Sequence, residues 1–178
     1  IEKFVAESWE NGVDIFRIFD SQNWMKSIAP CIEHVRKNTG GIAEGSMCYT
    51  GNIMDKDRTK YDLKYYLQLA KDLENAGAHI LAIKDMAGLL QPYAATKLIT
   101  ALKETVDIPI HLHTHDTSSM QAATYLNAID AGVDVVDVAL GGLCELTSQP
   151  NFNALTEVLR YHERARTLDT DSLQKYSI

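Results

Sequence analysis

Two apolar runs, each ending in ionisable residues, constrain this chain more than anything else in it: His79-Ile-Leu-Ala-Ile-Lys-Asp85 and Ile108-Pro-Ile-His-Leu-His-Thr-His-Asp116. Each reads as a largely buried strand, and a helical pattern of the length one βα unit needs lies between them. Consecutive strands of a parallel sheet bring their last residues to one edge, the carboxyl edge, where such sheets bind ligands. Lys84 and Asp85 on one strand and His111, His113 and His115 on the next are therefore expected at the same level. A lysine beside an alternating histidine array at a strand end reads as a metal site.

The unit recurs along the chain. Helix, glycine, then an apolar strand appears at Asn11-Gly12-Val13-Asp14, Ala76-Gly77-Ala78-His79 and Ala131-Gly132-Val133-Asp134, with glycine where a helix ends. Strands are expected over Val13–Asp20, Ile42–Thr50, His79–Asp85, Ile108–Asp116 and Val133–Leu140. Helices are expected over Ile1–Glu10, Ser21–Val35 (kinked or broken at Pro30), Tyr61–Ala76, Pro92–Thr105 and Asn153–Arg166, with another running from a cap at Ser118 or Ser119 to Ala131. Strands alternating with helices mean a parallel α/β sheet. Five of them fit either an open doubly wound sheet or part of an eight-stranded barrel. No Gly-rich phosphate loop follows any strand, and the ionisable residues are spread over several strand ends. Both observations favour a partial (β/α)8 barrel. Ile1 falls inside a helical pattern with no N-cap before it, so residues 1–178 are expected to be a fragment of something longer.

Composition excludes some partners. The 178 residues carry a net charge of -7, which argues against nucleic acid. No apolar run reaches membrane-spanning length and no signal-peptide pattern opens the chain. Cys31, Cys48 and Cys144 are isolated in apolar surroundings and read as reduced residues of a cytoplasmic protein.

The period of two along a strand puts the rings of His111, His113 and His115 on one side, so the pair nearest the strand end can share a cation while His111 sits deeper. The alternative is hydrogen-bonded core histidines. Lys84 has three open fates: an ion pair with Asp85 or another acid, a Schiff base, or reaction of its neutral amine with carbon dioxide to give an anionic, metal-ligating carbamate. Arg17, Asp20 and Tyr49, at the ends of the first two strands, could orient a carboxylate substrate. The competing reading of Arg17 is a structural pair with Asp20 or Asp85. Asp134 and Asp137 read as structural, and Asp55–Lys60 as a solvated loop.

Phe16-Arg-Ile-Phe-Asp-Ser21, Tyr49-Thr-Gly51, Arg58-Thr-Lys-Tyr-Asp-Leu-Lys-Tyr-Tyr66, Ile83-Lys-Asp-Met-Ala-Gly-Leu89, His111-Leu-His-Thr-His-Asp-Thr117 and Thr147-Ser-Gln-Pro150 closely resemble the carboxyltransferase domain of pyruvate carboxylases. The resemblance spans essentially the whole chain and implies a (β/α)8 barrel with a divalent ion, zinc, manganese or cobalt. It places a carbamylated lysine ligand on Lys84 and histidine ligands on His113 and His115. The five strands then correspond to the fourth through eighth of the barrel. The implied aspartate ligand, and the arginines and glutamine that bind pyruvate and biotin, belong to the first three strands, outside this sequence. A threonine that passes a proton to biotin falls beyond its end. The implied partners are pyruvate, carboxybiotin, and the biotin carrier and biotin carboxylase domains of the same polypeptide, the last holding ATP and Mg. A homo-oligomer, tetrameric in the family, is implied too. By itself the chain is expected to be inactive. Asn52, usually Asp in that family, and Gly141-Gly-Leu-Cys-Glu-Leu146 depart from its pattern.

The rival readings are an oxaloacetate decarboxylase α-subunit or transcarboxylase 5S-type carboxyltransferase, and a metallo-lyase or synthase sharing the His-x-His strand. His113-Thr-His115-Asp116-Thr117 and Ser21-Gln-Asn-Trp24 favour the pyruvate carboxylase resemblance.

Overall fold

Helices alternate with strands along most of the chain, and each strand pairs with the next in parallel. In the computed structural model, which describes residues 1–177, the order is α1 (Glu2–Glu10), β1 (Ile15–Ile18), α2 (Met25–Asn38), β2 (Ile42–Cys48), α3 (Leu63–Asn75), β3 (Ile80–Asp85), α4 (Pro92–Lys103), β4 (Ile110–Thr114), α5 (Gln121–Asp130), β5 (Val135–Val136), α6 (Phe152–Val158) and α7 (Thr170–Lys175). The sheet order β1-β2-β3-β4-β5 is that of consecutive βα units, as in part of a (β/α)8 barrel. No helix among the described residues is long and apolar enough to cross a membrane.

The core lies between the sheet and its helices. Leu81 and Ile83 of β3 and Leu112 of β4 meet Leu73 of α3 and Leu98, Ile99 and Leu102 of α4, all fully buried. The alternate residues of the same strands face the other way, toward the barrel axis. Glu44, Ser46 and Cys48 of β2 lie on that side, in register with Ile80, Ala82 and Lys84 of β3. His111 and His113 of β4 stand opposite Ala82 and Lys84. On the helix side of β2, Gly45 lets two helices close in: a Cβ there would meet Ala78 Cβ at 3.0 Å and the side chains of Leu73 and Ile32 at 3.2 and 3.3 Å.

Most expected elements are present with shorter bounds, and three differ for physical reasons. The last strand forms only over Val135–Val136 because its backbone changes partners. Asp137 N still donates to Leu112 O, but Asp137 O accepts from Tyr125 Oη at 2.6 Å, and Ala139 pairs with Asn151. The last long helix stops at Val158. The segment beyond it turns so that the Arg164 guanidinium bonds Ile129 O and Val133 O at 2.7 and 2.6 Å, closing the end of α5. Neither Ser118 nor Ser119 caps α5. Asp116 Oδ1 accepts from Gln121 N at 3.1 Å instead, and Ser118 Oγ donates to Gly88 O. Pro30 lies inside an unbroken α2, on its exposed side.

Leu98→Ala should cost about 2–5 kcal/mol in denaturant unfolding, since it empties a site with no solvent exposure. Tyr161→Ala, at a position 94% exposed, should stay within about 0.5 kcal/mol of the parent. Equal losses would contradict this placement of the core.

Candidate metal centre

Four charged side chains fill the axis side of the sheet below the histidine pair. Arg17 Nε and Nη2 bond the two oxygens of Glu44 at 3.1 and 3.2 Å, and Arg17 Nη1 bonds Asp137 Oδ2 at 2.9 Å. His111 lies between the same carboxylates, with Nδ1 at 2.7 Å from Glu44 Oε1 and Nε2 at 2.8 Å from Asp137 Oδ1. A carboxylate only accepts, so both ring nitrogens donate and His111 is an imidazolium. Burial opposes that charge, yet the hydrogen bonds to Asp137 and Glu44 outweigh it and push His111 up to about 9. The carboxylates respond in kind. Burial disfavours the charge of Asp137, but His111, His113 and Arg17 hold it far below the ordinary range, and His111 and Arg17 lower Glu44 likewise. Two cations and two anions make the cluster neutral, the condition under which such burial is tolerable.

One step nearer the rim, His113 Nδ1 lies 2.7 Å from Asp137 Oδ2, and its Nε2 lies 3.2 Å from Nε2 of His115. Burial, then the nearby His113 and Lys84, hold the proton affinity of His115 below that of free imidazole. Two nitrogens bound to one ion at about 2.0–2.1 Å stand roughly 3.0–3.4 Å apart, so the observed spacing fits a shared cation. Lys84, beside His113 in the β3–β4 register, is half-buried with Nζ 4.7 Å from the centre of the Phe19 ring. Among the described residues no three His, Cys, Asp or Glu side chains gather as a complete ligand set, so this chain offers the histidine pair and Lys84.

Other side chains hold these strand ends in place. Asp85 does not pair with Lys84: its buried carboxylate accepts from Leu89 N, Leu90 N and Thr114 Oγ1 at 3.0, 2.8 and 3.0 Å. Gln121 donates to Gly88 O at 3.0 Å, tying the loop after β3 to the loop after β4. Gly88, at φ +64°, leaves no room for a Cβ, which would sit 2.7 Å from His115 O. Asn23 bonds both Cys48 N and Cys48 O through its amide, fixing the end of β2.

Three residues expected to touch a carboxylate substrate are engaged elsewhere. Arg17 is held by Glu44 and Asp137, which also replaces the expected structural partners Asp20 and Asp85. Asp20 accepts from Gln22 N and Trp24 N within its own loop. Tyr49 points to the helix layer, 4% exposed and stacked on Tyr66 at 5.2 Å, its hydroxyl pushed up to about 12 by burial. Asp134, at the opposite edge, bonds Lys103 and Ile110 N as a structural residue would. Asp137 and Glu44 are the members of the site that sequence reasoning missed. Their only trace in the sequence is an acid placed on an otherwise apolar strand.

His111 binds its proton more tightly folded (about 9) than unfolded (6.5), so its stabilisation is complete below pH 6.5 and is lost as pH rises through about 9. The unfolding free energy of the metal-free protein should therefore fall between pH 6.5 and about 10 by on the order of 3 kcal/mol. His111→Gln should flatten that profile; a wild-type profile already flat would contradict the imidazolium.

Comparison with known proteins places this arrangement. Residues 16–177 match the HMGL-like family. Pyruvate carboxylase of Bacillus subtilis is 51% identical over 177 residues, covering 99% of this chain, and the human mitochondrial pyruvate carboxylase is 46% identical over 159 residues, covering 89%. The chain spans 15% and 13% of their respective lengths. The carboxyl transferase domain of Rhizobium etli pyruvate carboxylase, solved with pyruvate, superimposes with a TM-score of 0.96 at 46% identity, covering 99% of this chain and 30% of that one. With its parallel strands, its strand-end histidines and this match over nearly its whole length, the chain belongs to the HMGL-like family.

Proposed function

We propose that this chain supplies five βα units, the fourth through eighth, of a carboxyltransferase barrel in a pyruvate carboxylase, which moves a carboxyl group from carboxybiotin to pyruvate and yields oxaloacetate. The observation that carries the reading is the pairing of His113 Nε2 and His115 Nε2 at 3.2 Å beside Lys84 on the neighbouring strand. Identity of 46% to a carboxyl transferase domain over 99% of the chain supports the same conclusion. The biotin would be carried on another domain of the polypeptide, with ATP and Mg used at a biotin carboxylase domain, in a tetramer of such chains. A reducing, cytoplasmic setting suits three free cysteines.

The geometry supports a role for each residue. His113 and His115 present two imidazole nitrogens at a spacing one cation can bridge. The amine of Lys84, its Nζ 4.7 Å from the centre of the Phe19 ring, lies at the strand-end level of His113 and has no acid of its own among the described residues. Neutral, it adds to carbon dioxide and loses a proton, and the resulting carbamate would offer an anionic oxygen beside the two imidazoles, with the aspartate of the first three strands as the fourth donor. His113, His115 and the Lys84 carbamate would hold a divalent zinc, manganese or cobalt ion, which would supply Lewis acidity for negative charge developing on the pyruvate oxygen. In the transfer, carboxybiotin releases carbon dioxide, the methyl proton of pyruvate passes to the biotin nitrogen, and the enolate carbon forms its bond to carbon dioxide. The loops tied by Gln121 and Gly88 hold the two ligand-bearing strand ends at a constant separation, which preserves the orientation of the reacting groups.

In the full-length enzyme, Lys84→Ala should abolish oxaloacetate formation while leaving ATP-dependent carboxylation of biotin largely intact. Coupled assays of the two half-reactions measure this, and undiminished oxaloacetate output would reject the role given to Lys84.

A further inference from the structure

Asp137 makes more contacts than a barrel-filling carboxylate needs, and they are divided by oxygen. Oδ1 accepts from His111 Nε2 at 2.8 Å, while Oδ2 accepts from Arg17 Nη1 at 2.9 Å and from His113 Nδ1 at 2.7 Å. Its main chain is fixed as well: the N–H donates to Leu112 O at 3.2 Å, and the carbonyl accepts from the fully buried Tyr125 hydroxyl at 2.6 Å. Neither backbone nor side chain has freedom to leave His113.

We propose that Asp137 is a positioning residue for cation binding: it holds the proton of His113 on Nδ1, so that Nε2 presents a bare lone pair toward Nε2 of His115. The inference rests on the metal reading given above. A neutral imidazole has one donor and one acceptor nitrogen, and a carboxylate at 2.7 Å permits only the donor to face it. Without Asp137 the two tautomers of His113 compete, and the one protonated on Nε2 cannot ligate. Arg17 and His111 serve this arrangement from behind. They bond one to each oxygen of Asp137 and neutralise it, so the carboxylate is neither drawn toward the rim nor free to rotate. A carboxylate behind a metal-facing histidine is the general means of fixing ring orientation and tautomer.

The test is divalent-metal affinity of the full-length protein, measured with cobalt(II) by chelator competition. Asp137→Asn keeps the shape but offers one oxygen and one NH2. If the oxygen faces His113, the NH2 meets His111 Nε2, already a donor; if the amide flips, its NH2 confronts His113 Nδ1 and drives the proton to Nε2. The expected result is a 10- to 100-fold loss of cobalt affinity. Glu44→Gln disturbs the same charged cluster through Arg17 and His111 without touching His113, so its affinity should fall far less. Equal losses in both variants, or no loss in Asp137→Asn, would overturn the proposal. His113→Ala and His115→Ala, measured alongside, test the metal reading separately: wild-type affinity in both would reject that reading itself. Should Asp137→Asn fail to fold, neutron diffraction of the wild-type protein decides, a proton on Nδ1 of His113 supporting the assignment and one on Nε2 refuting it.

Discussion

A salt-bridge cluster on the inner face of a barrel is costly unless its charges cancel, and in this chain they do. Arg17, Glu44, His111 and Asp137 come from four different strand segments, and each meets at least two of the others. Removing one partner from such a cluster typically costs about 3–5 kcal/mol, because the remainder is left charged without compensation. The cluster also explains the small residues beside it. Ser46 and Ala82, paired in register, leave the space that the guanidinium and imidazolium occupy. The strands are thus joined by ladder hydrogen bonds at the backbone and by charge across the axis.

The histidine pair depends on that cluster from below and on a second polar assembly from the side. Below, Asp137 bonds one nitrogen of His113 and leaves the other facing His115. To the side, Asp85, Thr114 and Gln121 form a buried set that gathers the N–H groups of the loop after β3 and the carbonyl of Gly88. Adjacent residues on one strand therefore do opposite work. Lys84 faces the axis and the proposed cation, while Asp85, one residue on, faces the helix layer and organises the loops. The alternation of a β-strand separates chemistry from scaffolding within two residues.

Much of this was legible from the order of residues. The Gly12, Gly77 and Gly132 helix ends, all with positive φ, and the apolar strands after them specify the repeating unit, because a helix end and a buried strand are local matters. The alternation His111, His113, His115 likewise fixes that the three rings share a face. The partners were not legible. Arg17 bonds residues 27 and 120 positions away, and no local pattern says which of 24 acidic side chains will be near it. Tyr49 stands one residue past Cys48, and the alternation of the strand turns it to the helix layer, where it stacks on Tyr66, a partner 17 positions away that no local pattern announces.

The sequence by itself determined the βα rhythm, the parallel sheet and the presence of Lys84, His113 and His115 at one edge, since each follows from periodicity and chain direction. Only the tertiary structure decided that His111 is a charged structural member while its two neighbours face each other at ligand spacing. It also decided that Asp137, unremarkable just past a short last strand, stands behind one of them. The reason is electrostatic: the role of an imidazole depends on which charges surround it, and those charges arrive from segments far apart along the chain.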